Sequence, residues 1–99
     1  MDVEQALKIA EQDIQERISA SEELRQYGFD PVQFRSEYER CWVFLARSED
    51  MAAEGYAPAA VFAYLDKQDR HAWSEAEVVD YFYAPPAPEI SHQREQLAA

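Results

Sequence analysis

The stretch Trp42-Val43-Phe44-Leu45-Ala46 decides the fold of this chain, together with a second apolar run, Val61-Phe62-Ala63-Tyr64-Leu65. Both runs are short, apolar on both sides, and rich in aromatic and β-branched residues. This pattern is typical of strands in a buried sheet, whereas a surface helix carries a one-sided apolar stripe. A polar turn at 66–70 and then His71-Ala72-Trp73 follow the second run, which predicts a hairpin. We therefore predict a small antiparallel sheet.

The N-terminal segment predicts a helix over residues 2–27, to be packed on that sheet. Asp2 lies where it favours the positive end of the helix dipole, and Gly28 is placed to end the helix in a left-handed conformation. A break near Ser19-Ala20-Ser21 is an alternative, because Ser21 is a suitable cap for a separate short helix. The apolar stripe of this helix, with spacings of three and four, consists of Val3, Leu7, Ala10, Ile14 and Ile18.

A second helix start signal lies just before the first apolar run. Asp30 is a good N-cap, Pro31 suits the first helical position, and Phe29 and Phe34 are spaced for a hydrophobic staple. We predict a helix from 31 to about 38 and then a strand from about 40 to 47. The alternative is one long helix over 31–54, which would make the protein an all-α helical bundle.

The C-terminal third contains a short helix and a tail. Residues 48–56 read as a helical turn or loop, and Ser74 and Glu77 form a capping box that predicts a helix over 75–83. We expect Val78, Val79 and Phe82 to face inward, and the run Ala84-Pro85-Pro86-Ala87-Pro88 to stop the helix. The expected organisation is a single globular α+β domain over 1–83 and a disordered, Pro-containing polar tail over 84–99.

Charge limits the possible partners of the chain. Its 99 residues carry 20 acidic and 9 basic side chains, a net charge of −11, which argues against binding to nucleic acid or to an anionic membrane. The acidic N-terminus lacks the basic start of a secretion signal, and no apolar run is long enough for a membrane span, so we expect a cytoplasmic protein. The acidity serves either solubility or the recognition of a basic partner.

Two candidate sites for chemistry lie around the predicted hairpin. Asp66, Asp69 and His71 have a spacing that suggests a metal site, but carboxylates in a turn commonly bond the turn backbone, and we expect that role for both. Cys41 and His71 suggest a nucleophile pair, but Cys41 stands in a run that we expect to be buried, where a cysteine is an apolar filler. We expect no catalytic residue, no cofactor and no metal.

Three stretches resemble a family of small bacterial immunity proteins. They are Glu39-Arg40-Cys41-Trp42-Val43-Phe44, the segment Asp66-Lys67-Gln68-Asp69-Arg70-His71-Ala72-Trp73, and Glu77-Val78-Val79-Asp80-Tyr81. They are similar to the YrhB-like group (immunity protein 35) of polymorphic-toxin systems, in which a leading helix, a Trp-x-Phe strand, a hairpin and a closing helix follow one another. The glycine common in that hairpin turn is Arg70 here. The resemblance implies a non-catalytic cytoplasmic protein that binds and blocks a cognate toxin.

The functional expectation is therefore an immunity-type inhibitor that meets its toxin through an acidic surface. The partner-binding residues that we predict are Glu49, Asp50, Glu54, Asp66 and Asp69. One alternative is an acidic nucleic-acid mimic that fills the basic groove of a DNA-binding protein with the carboxylates of the N-terminal helix. The other is a small adaptor subunit that binds through its tail.

Overall fold

The computed structural model describes residues 2–83 of the chain and has an α+β fold. In chain order the elements are α1 (Val3–Ala20), α2 (Glu22–Arg25), β1 (Gln33–Glu37), β2 (Cys41–Arg47), α3 (Glu49–Ala53), β3 (Ala60–Asp66) and α4 (Glu75–Tyr83). The three strands form an open antiparallel sheet in the order β1-β2-β3. The predicted fold class is confirmed, and the all-α alternative is wrong. The predicted tail over 84–99 lies outside the described residues.

Helix α1 begins and breaks where local capping dictates. Asp2 and Gln5 form a capping box, in which the backbone N–H of Gln5 donates to an Asp2 carboxylate oxygen at 2.9 Å. The helix ends at Ala20, and Ser21 caps α2 by accepting the Leu24 N–H. The break that we considered as an alternative is therefore the observed structure.

The first face of the sheet packs against α1 and forms the core. Alternate residues of β2 and β3 point to this face, as the pleat requires. The small side chains of Ala6 and Ala10 let the helix approach the large ring of Phe44, which is fully buried. The buried residues of this cluster are Ala6, Ala10, Ile14, Trp42, Phe44, Ala46, Val61, Ala63 and Leu65.

The helix that we predicted from residue 31 is wrong, because residues 33–37 form strand β1. The Asp30 N–H donates to the Arg47 carbonyl oxygen at 2.8 Å, so the chain already runs beside β2 where a helix would begin. Phe34 lies opposite Phe44, with ring centroids 6.1 Å apart, and packs on the core cluster. Pairing with β2 thus satisfies the backbone and partly buries Phe34, and these long-range contacts outweigh the local capping signal.

Among residues 2–83, helix α4 covers part of the second face of the sheet. The ring of Phe82 lies 5.7 Å from that of Tyr64 and 4.7 Å from that of Tyr38, measured between centroids. Val78 and Phe82 are partly buried, being one turn apart on the helix face turned to the sheet. Val79 is 46% exposed, so the expectation that it faces inward is wrong. It lies about 100° around the helix from Val78, away from the sheet.

After the turn that follows β3, residues 71–73 pair with the end of β3 and complete a short hairpin. The Asp66 N–H donates to the His71 carbonyl oxygen at 2.9 Å, and the Trp73 N–H donates to the Tyr64 carbonyl oxygen at 2.7 Å. A single bridge joins Leu65 to Ala72.

Among residues 2–83, no helix combines the length and apolar character that crossing a bilayer requires.

Gly28 has another role than the one predicted. Its backbone is not left-handed, and its N–H donates to the Asp50 carboxylate at 2.7 Å. A Cβ at this position would lie 3.2 Å from the same oxygen, so glycine permits a close approach between the α2–β1 loop and α3. Gly55 is the left-handed glycine, with a φ of 94°, and it follows α3.

Candidate protein interface

The sheet separates the five predicted partner-binding residues into two groups. Asp66 pairs with Cys41 at the start of β2, whereas α3 follows Arg47 at the end of β2. Six residue steps along a strand span about 20 Å. Glu49, Asp50 and Glu54 therefore lie together at one end of the sheet, which we call the α3 end. Asp66 and Asp69 lie at the other, which we call the hairpin end.

Asp66 is the bonding centre of the hairpin end. One carboxylate oxygen accepts the N–H groups of Gln68 at 2.7 Å and Asp69 at 2.8 Å. The other accepts the indole N–H of Trp73 at 2.6 Å and lies 3.4 Å from the Arg40 guanidinium. The Asp66 side chain is 2% exposed, so these four donors replace water almost completely.

The hydrogen bonds keep Asp66 charged in spite of its burial. Desolvation acts to raise the pKa of the carboxyl group. The donors from Asp69, Trp73 and Gln68, with Arg40 nearby, outweigh it, and the pKa lies below its ordinary value. The expectation that a carboxylate bonds the turn backbone is confirmed for Asp66. Within residues 2–83, the Asp69 carboxylate accepts no such bond, so the expectation is wrong for Asp69.

A second ion pair closes the hairpin end against α4. The His71 Nε2 lies 2.9 Å from a Glu77 carboxylate oxygen, and this hydrogen bond raises the pKa of His71. Glu77 also accepts the Ser74 N–H at 2.9 Å, as the predicted capping box requires, and this bond lowers the pKa of Glu77. Both side chains are exposed by more than 40%. Asp66 and Glu77 are therefore both engaged in bonds within the fold.

The candidate chemistry at this end finds no support in the geometry. Within the described range 2–83, no group of three or more His, Cys, Asp or Glu side chains converges as a metal site would require. The carboxylate oxygens of Asp66 instead accept hydrogen bonds from backbone and indole N–H groups. Cys41 is fully buried, and desolvation raises the pKa of its thiol to about 12. A thiol in that state holds its proton at neutral pH.

The α3 end gathers carboxylates from three segments of the chain. Ser48 caps α3 by accepting the Met51 N–H at 3.2 Å, so the short helix begins directly after β2. The Gly28 N–H donates to the Asp50 carboxylate, and the Tyr27 hydroxyl donates to the Glu54 carboxylate at 3.2 Å. The acidic residues of this end are Glu22, Glu23, Asp30, Glu49, Asp50 and Glu54, all of them exposed.

A pair of tyrosines fixes α2 to α3 within this surface. The rings of Tyr27 and Tyr56 meet edge to face, with centroids 6.0 Å apart. The Tyr56 hydroxyl donates to the Glu23 carboxylate, and this bond raises the pKa of Tyr56. The two segments are thereby held together although 27 to 33 residues separate the bonded partners. Together with the bond from the Gly28 N–H to Asp50, these bonds fix three of the six carboxylates of the α3 end, those of Glu23, Asp50 and Glu54.

Sequence reasoning identified half of the α3 end and missed the other half. Glu49, Asp50 and Glu54 were predicted as binding residues, and the structure brings them together. Glu22 and Glu23 were assigned to the N-terminal helix, and Asp30 to a helix cap. No local signal places these three residues near α3, because their positions depend on long-range contacts such as the bond from Tyr56 to Glu23 and the bond from the Asp30 N–H to the Arg47 carbonyl.

Comparison of the chain with protein-family models, with curated protein sequences and with solved structures yields no match.

Proposed function

We propose that this chain is a non-catalytic binding protein that recognises a cationic protein partner through the α3 end. We further propose that the partner is a cognate bacterial toxin, which the chain inhibits by covering its active site. One observation carries the proposal: six exposed carboxylates from α2, the α2–β1 loop and the α3 segment lie at one end of the sheet. Their negative field favours approach of a basic surface and repels an acidic one.

The α3 end is better suited to binding than the hairpin end. At the hairpin end, Asp66 is buried and bonded to four donors, and Glu77 is paired with His71. At the α3 end, Glu22 and Glu49 lie at the surface in the first turns of α2 and α3. A partner's lysine or arginine meets these carboxylates without first displacing a bond that the fold needs.

The tyrosine bonds favour tight recognition because they hold the surface in place. Binding costs free energy when loops and side chains must be ordered, about 0.5–1.5 kcal/mol for each immobilised side chain. The bonds from Tyr27, Tyr56 and the Gly28 N–H set the positions of three carboxylates before any partner arrives. Because these positions are fixed in advance, less free energy is lost on binding, and more of the electrostatic attraction contributes to affinity.

The toxin assignment rests on the resemblance to immunity proteins. The residues that carry the resemblance have structural roles, since Trp42 lies in the core and Asp66 and Trp73 form the hairpin network. The resemblance therefore supports a shared architecture, and the acidic α3 end supplies the reason to expect a basic partner.

Charge reversal at matched positions tests the proposal. The chain, a Glu22→Lys/Glu49→Lys variant and a Glu11→Lys/Glu16→Lys variant are immobilised and exposed to a nuclease-treated native lysate. Both variants change the net charge equally, but only the first alters the α3 end. We expect one basic protein to be retained by the wild type and the α1 variant and lost from the α3-end variant. Its enzymatic activity should fall to zero at one equivalent of the chain.

Other results would contradict the proposal in distinct ways. Equal retention by both variants would mean that the α3 end serves solubility. Loss from the α1 variant alone, with DNA competing for the captured protein, would point to the nucleic-acid mimic. Retention that disappears only when residues 84–99 are deleted would point to the adaptor.

A further inference from the structure

A cleft beside α3 adjoins the acidic surface and has an apolar floor. Its volume is about 490 Å³, and buried Leu45 and half-buried Phe62 of the second sheet face line it, with Ala52 of α3 and Pro58. Helix α4 covers this sheet face farther along, at Tyr64, and does not line the cleft. The size is in the range of cavities that bury a side chain or a small ligand.

Acidic residues connect the cleft to the rest of the α3 end. Asp30 and Glu49 line both the cleft and a neighbouring hollow of about 250 Å³ that also contains Asp50. Arg35 and Arg47 line the cleft as well, so its own walls carry both signs. The six carboxylates of the α3 end outnumber these two arginines, so the local field favours a cation at the rim.

We propose that this cleft is the anchor site of the partner, and that it takes a large apolar side chain flanked by lysine or arginine. The apolar side chain lies on Leu45 and Phe62, and the cationic neighbours lie against Asp30 and Glu49. This assignment rests on the proposed function and adds to it the chemistry of the recognised segment. Interfaces commonly concentrate affinity in such a central apolar anchor with a charged rim.

Three short peptides of defined chemistry serve as probes. They are the acetylated and amidated peptides Lys-Leu-Lys-Leu-Lys, Lys-Ser-Lys-Ser-Lys and Glu-Leu-Glu-Leu-Glu, titrated into the full ¹⁵N-labelled chain. We expect the first to shift the amide signals of Leu45, Ala52 and Phe62 and to bind about tenfold more tightly than the second, because it alone buries an apolar side chain. The third should produce no shift, because the acidic surface repels it.

Two substitutions on adjacent residues of α3 provide a matched control. Ala52 lines the cleft and Ala53 does not, and both are exposed. Ala52→Leu fills the cleft and should remove the advantage of the Lys-Leu peptide. Ala53→Leu adds the same side chain outside the cleft and should leave that advantage intact. Because neither residue lies in the core, both variants are expected to fold.

The outcomes distinguish this inference from the function on which it rests. If both lysine peptides bind equally and shift only Asp30, Glu49 and their neighbours, the cleft is not an anchor, while the acidic surface still binds cations. If neither lysine peptide shifts any signal, the anchor and the proposed function are both wrong. Binding of the Glu-Leu peptide, or an equal effect of the two alanine substitutions, would also overturn the anchor assignment.

Discussion

The two acidic ends of the sheet use the same type of side chain for different purposes. At the hairpin end the central carboxylate, Asp66, is 1% exposed and accepts bonds from two backbone N–H groups and an indole. At the α3 end Glu22 and Glu49 are exposed. The hairpin end therefore uses its charge to hold a turn, and the α3 end presents its charge to solvent.

The difference shows why net charge alone does not locate a binding surface. A buried carboxylate with satisfied oxygens contributes to folding, and its removal leaves donors unpaired. An exposed carboxylate contributes little to stability but strongly to the rate of encounter with a basic partner. The two ends should thus respond oppositely to substitution, and the following predictions test that contrast.

Substitution of Asp66 should have the largest effect on stability. Asp66→Ala leaves the indole N–H of Trp73 and the N–H groups of Gln68 and Asp69 without their acceptor, which should lower the free energy of unfolding by about 3 kcal/mol. Asp69→Ala, in the same turn, should change it by less than about 0.5 kcal/mol. Urea unfolding of both variants measures the difference, and similar losses would show that Asp66 has no special role.

The charge-dependent part of the Asp66 contribution should disappear in acid. Its pKa is lower in the folded chain than the ordinary value of 3.8, so its stabilising effect is present above that value and lost as the pH falls through the folded pKa. The difference in the free energy of unfolding between the wild type and Asp66→Ala should therefore shrink as the pH falls from the ordinary pKa through the folded pKa. A gap that stays constant down to the lowest pH would mean that the charge of Asp66 is not what stabilises the turn.

The turn itself contains a smaller source of strain. Arg70 has a φ of 56°, in the left-handed region that favours glycine. Arg70→Gly should raise the free energy of unfolding by about 0.5–1 kcal/mol, whereas Arg70→Ala, which loses the same charge, should not. Thermal unfolding compares the two. A gain shared by both variants would assign the effect to charge rather than to the backbone.

The weakest expected effect concerns the exposed pair of His71 and Glu77. The hydrogen bond that the Glu77 carboxylate accepts raises the pKa of His71 above 6.5, so any stability from this pair is complete below that value and is lost as the pH rises through the folded pKa. Glu77→Gln should lower the pKa of His71, as followed by the NMR shift of the ring proton. An unchanged titration would show that the pair does not form in solution.

The sequence allowed prediction of those elements whose signals are local. Strand β2 follows from a continuous apolar run, and α4 follows from the capping box at Ser74 and Glu77. Strand β1 was missed because Asp30 and Pro31 imitate a helix start, while the pairing that makes it a strand involves β2. A long-range contact decided that segment, and no local pattern reports it.

The candidate site, like the fold, was predicted only in part. The acidic α3 residues stand out in the sequence, since they follow a buried strand. Glu22 and Glu23 lie near these residues because α2 is held to the α3 segment by Tyr27 and Tyr56, whose rings meet only in the folded chain. Asp30 is placed there by the pairing of its backbone with Arg47. The burial of Asp66 likewise depends on tertiary contacts, so its assignment to a binding surface remains a prediction that its structural role does not favour.

The most direct test of the contrast between the two ends is a titration of the ¹⁵N-labelled chain with pentalysine at low salt. We predict that the amide signals of Gly28, Glu49, Asp50 and Glu54 shift and return when salt is raised. We also predict that the signals of Gln68 and Asp69 in the turn stay in place. Equal shifts at both ends, or shifts concentrated in the turn, would contradict the assignment of binding to one end and folding to the other.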